Sequence, residues 1–231
     1  MKIQSNFVKR AITGSIFVIV ILASMLIYES FLAVMGLLWA FMVFEYRKML
    51  KENGTPSQKK NLWYSFFAYF YIILPLVCLI LIYAVNPLFA LALFIFVWVN
   101  DTFAYLVGIK FGKHKLFERI SPKKTWEGFF GGLVFAIFAG FLLYHWSYGS
   151  HPNPHICDCV VYPLTTIIKW TGLAIVVVIF GTIGDLFESY LKRSLNVKDS
   201  GTILPGHGGL LDRLDSILFA APAAVIYLLL V

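Results

Sequence analysis

Leu88-Phe89-Ala90-Leu91-Ala92-Leu93-Phe94-Ile95-Phe96-Val97-Trp98-Val99-Asn100-Asp101-Thr102-Phe103-Ala104-Tyr105-Leu106-Val107-Gly108-Ile109 is strongly apolar except at Asn100, Asp101 and Thr102. A bilayer core of about 30 Å needs about 20 apolar residues in a helix, so this stretch reads as a membrane span. Working outward, six more apolar runs lie roughly at 11–28, 31–46, 63–84, 128–147, 168–189 and 212–231, with polar breaks between them. The expected fold class is therefore all-α: a polytopic membrane protein with about seven transmembrane helices. Glu29-Ser30 and Asn86-Pro87 are short enough junctions to make tight helical hairpins.

Composition agrees. Of the 231 residues 60% are hydrophobic and 13% charged, too apolar for an ordinary soluble domain. The formal charge of +7 comes from bases lying between apolar runs, which points to anionic lipid and phosphate as partners and not to nucleic acid. Three cysteines, Cys78, Cys157 and Cys159, cannot build a disulfide framework. Lys2, Lys9 and Arg10 precede the first run as in a signal peptide, but no small-residue cleavage site follows, so that run reads as a retained anchor.

The bases orient the chain, because short cytoplasmic loops carry Lys and Arg. With seven alternating spans, every one of the 19 Lys and Arg residues except Lys169 falls on one side. The N-terminus is then cytoplasmic and the C-terminus outside. We divide the chain into N-terminal transmembrane helices at 1–87 and a catalytic transmembrane region at 88–231, with cytoplasmic loops at 110–127 and 190–211.

Acids inside a span are costly and mark functional cavities. Asp101 lies in the cytoplasmic half of the fourth run, Asp185 near the cytoplasmic end of the sixth with Glu188 one turn on, and Asp212 and Asp215 open the seventh. From Ile217 to Val231 there is only about 22 Å of helix, so the turn carrying Asp212 and Asp215 must sink into the inner leaflet. Each pair shares a helix face and can point into one pocket. Taken singly, each acid could equally be an ion pair with a base such as Arg213. Clustered, they call for a cation, and oxygen-only ligands in a basic surround suit Mg²⁺ with substrate phosphate.

Two loops offer anion sites. Pro205-Gly206-His207-Gly208-Gly209 stands directly before the last helix, whose free N–H groups and dipole favour phosphate, with Lys192, Arg193 and Lys198 nearby. The other loop runs from Gly108 through Lys110, Lys113 and Lys115 to Ser121-Pro122-Lys123-Lys124-Thr125-Trp126-Glu127-Gly128. Either it lies as a polybasic segment on anionic headgroups, or Lys123 and Lys124 form a phosphate clamp. His151, His155, Cys157 and Cys159 match no zinc spacing and read as a plain exported loop.

Ser189-Tyr190-Leu191-Lys192-Arg193, Lys198-Asp199-Ser200-Gly201, the glycine-rich turn and Asp212-Arg213-Leu214-Asp215 follow one another within some 27 residues. Together they closely resemble the signature of the phosphatidate cytidylyltransferase family. Asp101-Thr102-Phe103-Ala104-Tyr105 and the 121–128 stretch resemble further family blocks, so the resemblance covers about residues 90–231. It implies formation of CDP-diacylglycerol and pyrophosphate from CTP and phosphatidic acid with Mg²⁺, in the cytoplasmic membrane, with the active site facing the cytoplasm.

By that resemblance Asp185 and Asp212 hold the metal, supported by Asp215, Asp199 and Asp101. Lys192, Arg193, Lys198 and Arg213 take the triphosphate and lipid phosphate. Ser189 or His207 orients them, with Gly208 and Gly209 in the turn, and Lys123 and Lys124 meet substrate phosphate. A homodimer is the one protein partner the resemblance brings in. A CTP-dependent lipid kinase is the nearest alternative, separated by its product, CDP instead of pyrophosphate. A transporter would place its acids near midplane and show internal repeats, and none is evident.

Overall fold

The computed structural model describes residues 2–55, 62–149, 163–201, 203 and 208–231. His151, His155, Cys157, Cys159 and His207 lie outside them. Among the described residues seven helices follow in order: α1 (Lys2–Ser24), α2 (Tyr28–Asn53), α3 (Leu62–Val85), α4 (Pro87–Phe111), α5 (Trp126–Gly149), α6 (Pro163–Ser194) and α7 (Leu211–Leu230). Between α4 and α5 stand two short strands, β1 (Lys115–Phe117) and β2 (Ser121–Thr125). Each expected apolar run overlaps one helix. Among the described residues five helices are long and apolar enough to cross a membrane: α2, α4, α5, α6 and α7. In α1 and α3 the described apolar parts, Ile12–Ser24 and Phe70–Val85, are shorter.

Two local readings are corrected. The first break falls at 25–27, ahead of Glu29-Ser30, where a turn gathers serine hydroxyls. The Ser30 hydroxyl lies 2.7 Å from the carbonyls of both Ser24 and Ile27 and shares its one proton between them; the Ser24 carbonyl is one that the end of α1 leaves free, while Ile27 O already accepts the Phe31 N–H. From α3, the Tyr83 hydroxyl donates to Met25 O at 2.6 Å, and its ring stacks on Phe31 at 4.2 Å. The second correction is the antiparallel ribbon β1–β2, which pairs Lys115 with Thr125 and Phe117 with Ser121 inside the stretch 110–127 expected only as a loop. Glu127 ties its base: the carboxylate accepts the N–H groups of Lys113 and His114 and meets His114 Nδ1 at 2.6 Å.

Where the hairpin was expected at Asn86-Pro87 the chemistry is direct. Asn86 accepts the Leu88 N–H at 2.9 Å, and Pro87 opens α4 without a donor to lose. The packing that follows depends on small residues, as bilayer helices require for close approach. On α5, Gly128, Gly131 and Gly132 recur at helical spacing and meet Ala104, Val107 and Asn100 of α4. A Cβ on Gly131 would come 2.6 Å from Val107 Cγ2. Similarly, Gly181 and Gly184 of α6 face Ser216 and Asp215 of α7.

The helix α7 is central, touching α2, α3, α4 and α6. It buries Leu214, Ile217, Leu218, Ala220, Ala221 and Ala224. Its first turn, with Asp212 and Asp215, is thereby held among four helices at the end of the bundle where α6 terminates. There α6 closes on Asn196 at φ +56°, a left-handed residue that lets Val197 N–H reach back to Lys192 O at 3.0 Å.

Candidate active site

The polar end of the bundle is built on α4, β2, α6 and α7. Helical spacing on α6 stacks Asp185, Glu188, Ser189 and Lys192 along neighbouring turns, and the terminal position of Lys192 suits the helix dipole. Lys192 Nζ lies 2.6 Å from Glu188 Oε2 and 2.6 Å from Asp212 Oδ1, joining α6 to α7 through one ammonium. Glu188 is fully buried, and its Oε1 has no hydrogen-bond partner among the described residues. The other Asp212 oxygen, Oδ2, accepts the Ser200 N–H at 2.9 Å and the Gly209 N–H at 2.8 Å.

A second ion pair reaches across from the ribbon: Lys124 Nζ is 2.5 Å from Asp185 Oδ2, with both side chains about one quarter exposed. Ser189 Oγ donates to Asp185 Oδ1 at 3.4 Å. Thr125, the next residue, is buried and caps α5 by accepting the Gly128 N–H at 3.2 Å. That cap directs β2, and with it Lys123 and Lys124, over the mouth of the bundle.

Two cavities open at this end and share a wall. One, of about 220 Å³, is lined by Asn100, Asp101, Tyr105, Lys123, Lys124 and Asp185. The other, of about 200 Å³, is lined by Trp98, Asp101, Asp212, Arg213 and Asp215, with Thr13 of α1 on its far side. Asp101 belongs to both. Among the expected residues, the structure therefore gathers Asp101, Lys123, Lys124, Asp185, Asp212, Arg213 and Asp215 on these walls, with Ser189 and Lys192 bonded to their carboxylates. Arg193, Lys198 and Asp199 are exposed and line neither cavity. Gly208 adopts φ +84°, and a Cβ there would lie 2.9 Å from Asp212 Oδ2, so glycine is required for two reasons.

A family model described as the cytidylyltransferase family matches residues 1–231, the whole chain. The chain belongs to the cytidylyltransferase family. The match includes the first 90 residues, which carry no family mark in their own motifs. Among curated relatives, this cytidylyltransferase-family chain is 43% identical over 129 residues to a phosphatidate cytidylyltransferase of Thermotoga maritima, an alignment covering 56% of this chain and 44% of that one. It is 44% identical over 138 residues to one of Staphylococcus epidermidis, covering 59% and 47%. A third, from Staphylococcus aureus, is 44% identical over 137 residues, covering 59% and 47%. The matched part thus spans just under half the length of these relatives.

The donor set of this cytidylyltransferase-family site is oxygen-only, as a hard divalent cation prefers. Among the described residues no three His, Cys, Asp or Glu side chains converge as a metal cage. That arrangement still fits Mg²⁺, which takes one or two carboxylates and completes its sphere with water and substrate phosphate. Lys124 and Lys192 neutralise Asp185 and Asp212 in this structure.

One residue escaped the sequence reading. Glu45 of α2 is 2% exposed and accepts the Leu211 N–H at 3.0 Å, at the very start of α7. The rule that found Asp101 and Asp185 applies equally to it, since it lies within the expected run 31–46 as Val43-Phe44-Glu45-Tyr46.

Proposed function

We propose that the chain transfers the cytidylyl group of CTP to phosphatidic acid, giving CDP-diacylglycerol and pyrophosphate for phospholipid synthesis. The observation that carries this is the pair of cavities sharing Asp101, walled by carboxylates and cations at one end of an apolar bundle. A charged nucleotide and a lipid headgroup can meet there while the lipid tails stay beside apolar helices. The relatives' names supply the chemical class. In the proposed reaction a phosphate oxygen of phosphatidic acid attacks the α-phosphorus of CTP, and the bond to the β-phosphate oxygen breaks to release pyrophosphate. No protein nucleophile is needed, so the residues act by position and charge.

Lys123, Lys124, Lys192 and Arg213 hold phosphate oxygens, with Arg193 and Lys198 drawing the anionic substrates in from the exposed rim. Ser189 orients Asp185 by donating to it, and Gly208 and Gly209 keep the backbone close to Asp212. His207 completes the phosphate turn in this reading. Asp185 and Asp212 would hold Mg²⁺, with Asp101, Asp199 and Asp215 in support; the ion when bound supplies charge neutralisation on the phosphates. Binding it calls for Lys124 and Lys192 to exchange carboxylate for phosphate, for which their flexible stems are suited.

The same reading takes seven spans, with the N-terminus in the cytoplasm, the C-terminus outside and the site facing the cytoplasm in a bacterial cytoplasmic membrane. The distribution of Lys and Arg supports that orientation, and the bacterial relatives support the membrane. A homodimer belongs to the proposal through the family resemblance. Detergent-purified protein given CTP, phosphatidic acid and Mg²⁺ should release pyrophosphate only when the lipid is present, and Asp212→Asn should abolish the release. Lipid-independent release, or none from folded protein, contradicts the proposal.

A further inference from the structure

The start of α7 lacks a capping side chain of its own. Its N-cap position is Leu210, which makes no side-chain bond. A helix start leaves orphan N–H groups that must find acceptors when buried. An acceptor comes from outside the helix, since Asp212 of the first turn reaches back past the cap to the Gly209 N–H, which lies ahead of the helix. From α2, far away in sequence, Glu45 Oε2 takes the Leu211 N–H at 3.0 Å.

Ser200 is gripped from both sides: its N–H by Asp212 Oδ2 at 2.9 Å, and its hydroxyl by Glu45 Oε2 at 3.5 Å. The loop backbone is moulded around the Glu45 carboxylate. A Cβ on Gly201 would lie 2.5 Å from Oε1, and one on Gly209 would lie 2.8 Å from Oε2 and collide with Ser200 Oγ. Glu45 Oε1 itself has no hydrogen-bond partner among the described residues. Burying a carboxylate with one oxygen unpartnered opposes stability, so packing alone does not account for an acid at this position. An apolar side chain of similar volume would fill the space.

We infer that Glu45 is a positioning residue for the proposed active site, holding Ser200, Gly209 and Leu211 so that the Asp212 carboxylate is fixed against Lys192. It touches neither cavity and acts only through the loop and the first turn of α7. The activity readouts below rest on the proposed cytidylyl transfer; the proteolysis readout does not.

Two variants test this. Glu45→Leu keeps the volume and removes the acceptor, whereas Glu45→Gln keeps an acceptor for the Leu211 N–H. In folded, detergent-purified protein, tryptic cleavage after exposed Lys198 should be about tenfold faster in Glu45→Leu, the factor expected for losing a hydrogen bond to a charged group. Per folded molecule, kcat should fall about tenfold with KM for CTP within about twofold, as when a group acting in the transition state is displaced. Glu45→Gln should restore both cleavage and kcat to within about threefold of the unsubstituted protein, since a neutral acceptor still makes the bond.

A structural role alone would lower the yield of folded protein and leave kcat and Lys198 cleavage unchanged in what remains; that result overturns the inference. So does Glu45→Gln failing on kcat as far as Glu45→Leu, because the hydrogen bonds would then not be what matters. If the unsubstituted protein releases no pyrophosphate, the proposed function fails, and the cleavage of Glu45→Leu against Glu45→Gln still decides the role of Glu45.

Discussion

Lys192 Nζ stands 2.6 Å from Asp212 Oδ1 and so ties the last turn of α6 to the first turn of α7. The same ammonium also carries the pairing of fully buried Glu188. Removing it leaves two buried carboxylates without their cation, and breaking a buried pair costs about 3–5 kcal/mol. Lys192→Met should therefore markedly lower the thermal unfolding temperature in detergent. Adding Glu188→Leu to it should recover much of that loss, because the fully buried one of the two orphaned charges is gone and Asp212 keeps the Ser200 and Gly209 N–H groups, while activity should be low in both variants.

Lys124 is the contrasting case. Its pair with Asp185 is partly exposed, and such pairs contribute about 0–1 kcal/mol. Lys124→Gln should leave thermal stability nearly unchanged and still reduce kcat/KM by about a hundredfold, the scale of losing a preorganised cation at a transferring phosphate. A large stability loss with unchanged turnover would assign Lys124 to the fold instead.

How far these residues could be read in advance follows from what holds each in place. Helix runs such as 88–109 were legible because bilayer thickness sets their length, and the Asn86-Pro87 junction because cap and ring chemistry are local. The C-terminal motif was legible as a block. The ribbon at 115–125 was not, since a Lys-rich segment carries no strand periodicity and is held by Glu127 from the following helix and by the cap that its own last residue, Thr125, makes on that helix. The break at 25–27 escaped for the same reason, resting on Ser30 and Tyr83. Glu45 lay inside a run already inspected, but its role needs Leu211, and nothing in a linear reading brings those two together. The motif likewise could not say which lysine meets which carboxylate.

Close helix approach in α4 and α5 gives a prediction independent of chemistry. Gly131→Ala places a methyl 2.6 Å from Val107 Cγ2. Overpacking of that kind costs about 1–3 kcal/mol. Val107→Ala keeps a Cβ 2.7 Å from the new methyl, so the relieving change is Val107→Gly, which should cost about 1 kcal/mol alone and, combined with Gly131→Ala, should return much of the lost unfolding temperature. Additive effects of the two substitutions would show that these residues do not meet.

At Gly208 the prediction joins backbone to site. A side chain at φ +84° is strained by about 1–2 kcal/mol, and its Cβ would press on Asp212 Oδ2. Gly208→Ala should lower kcat/KM about tenfold, in keeping with a strain of that size expressed in the transition state. The unfolding temperature should change less than in Lys192→Met.

The central claim is the bond that breaks in CTP, and the fate of the label on each phosphorus tests it most directly. With CTP labelled at the α-phosphorus, the account predicts label in the lipid product and none of it in pyrophosphate. With CTP labelled at the γ-phosphorus, it predicts label in pyrophosphate and none in lipid. Label from the γ-phosphorus appearing in lipid, with CDP as the other product, would contradict cytidylyl transfer and identify a CTP-dependent kinase.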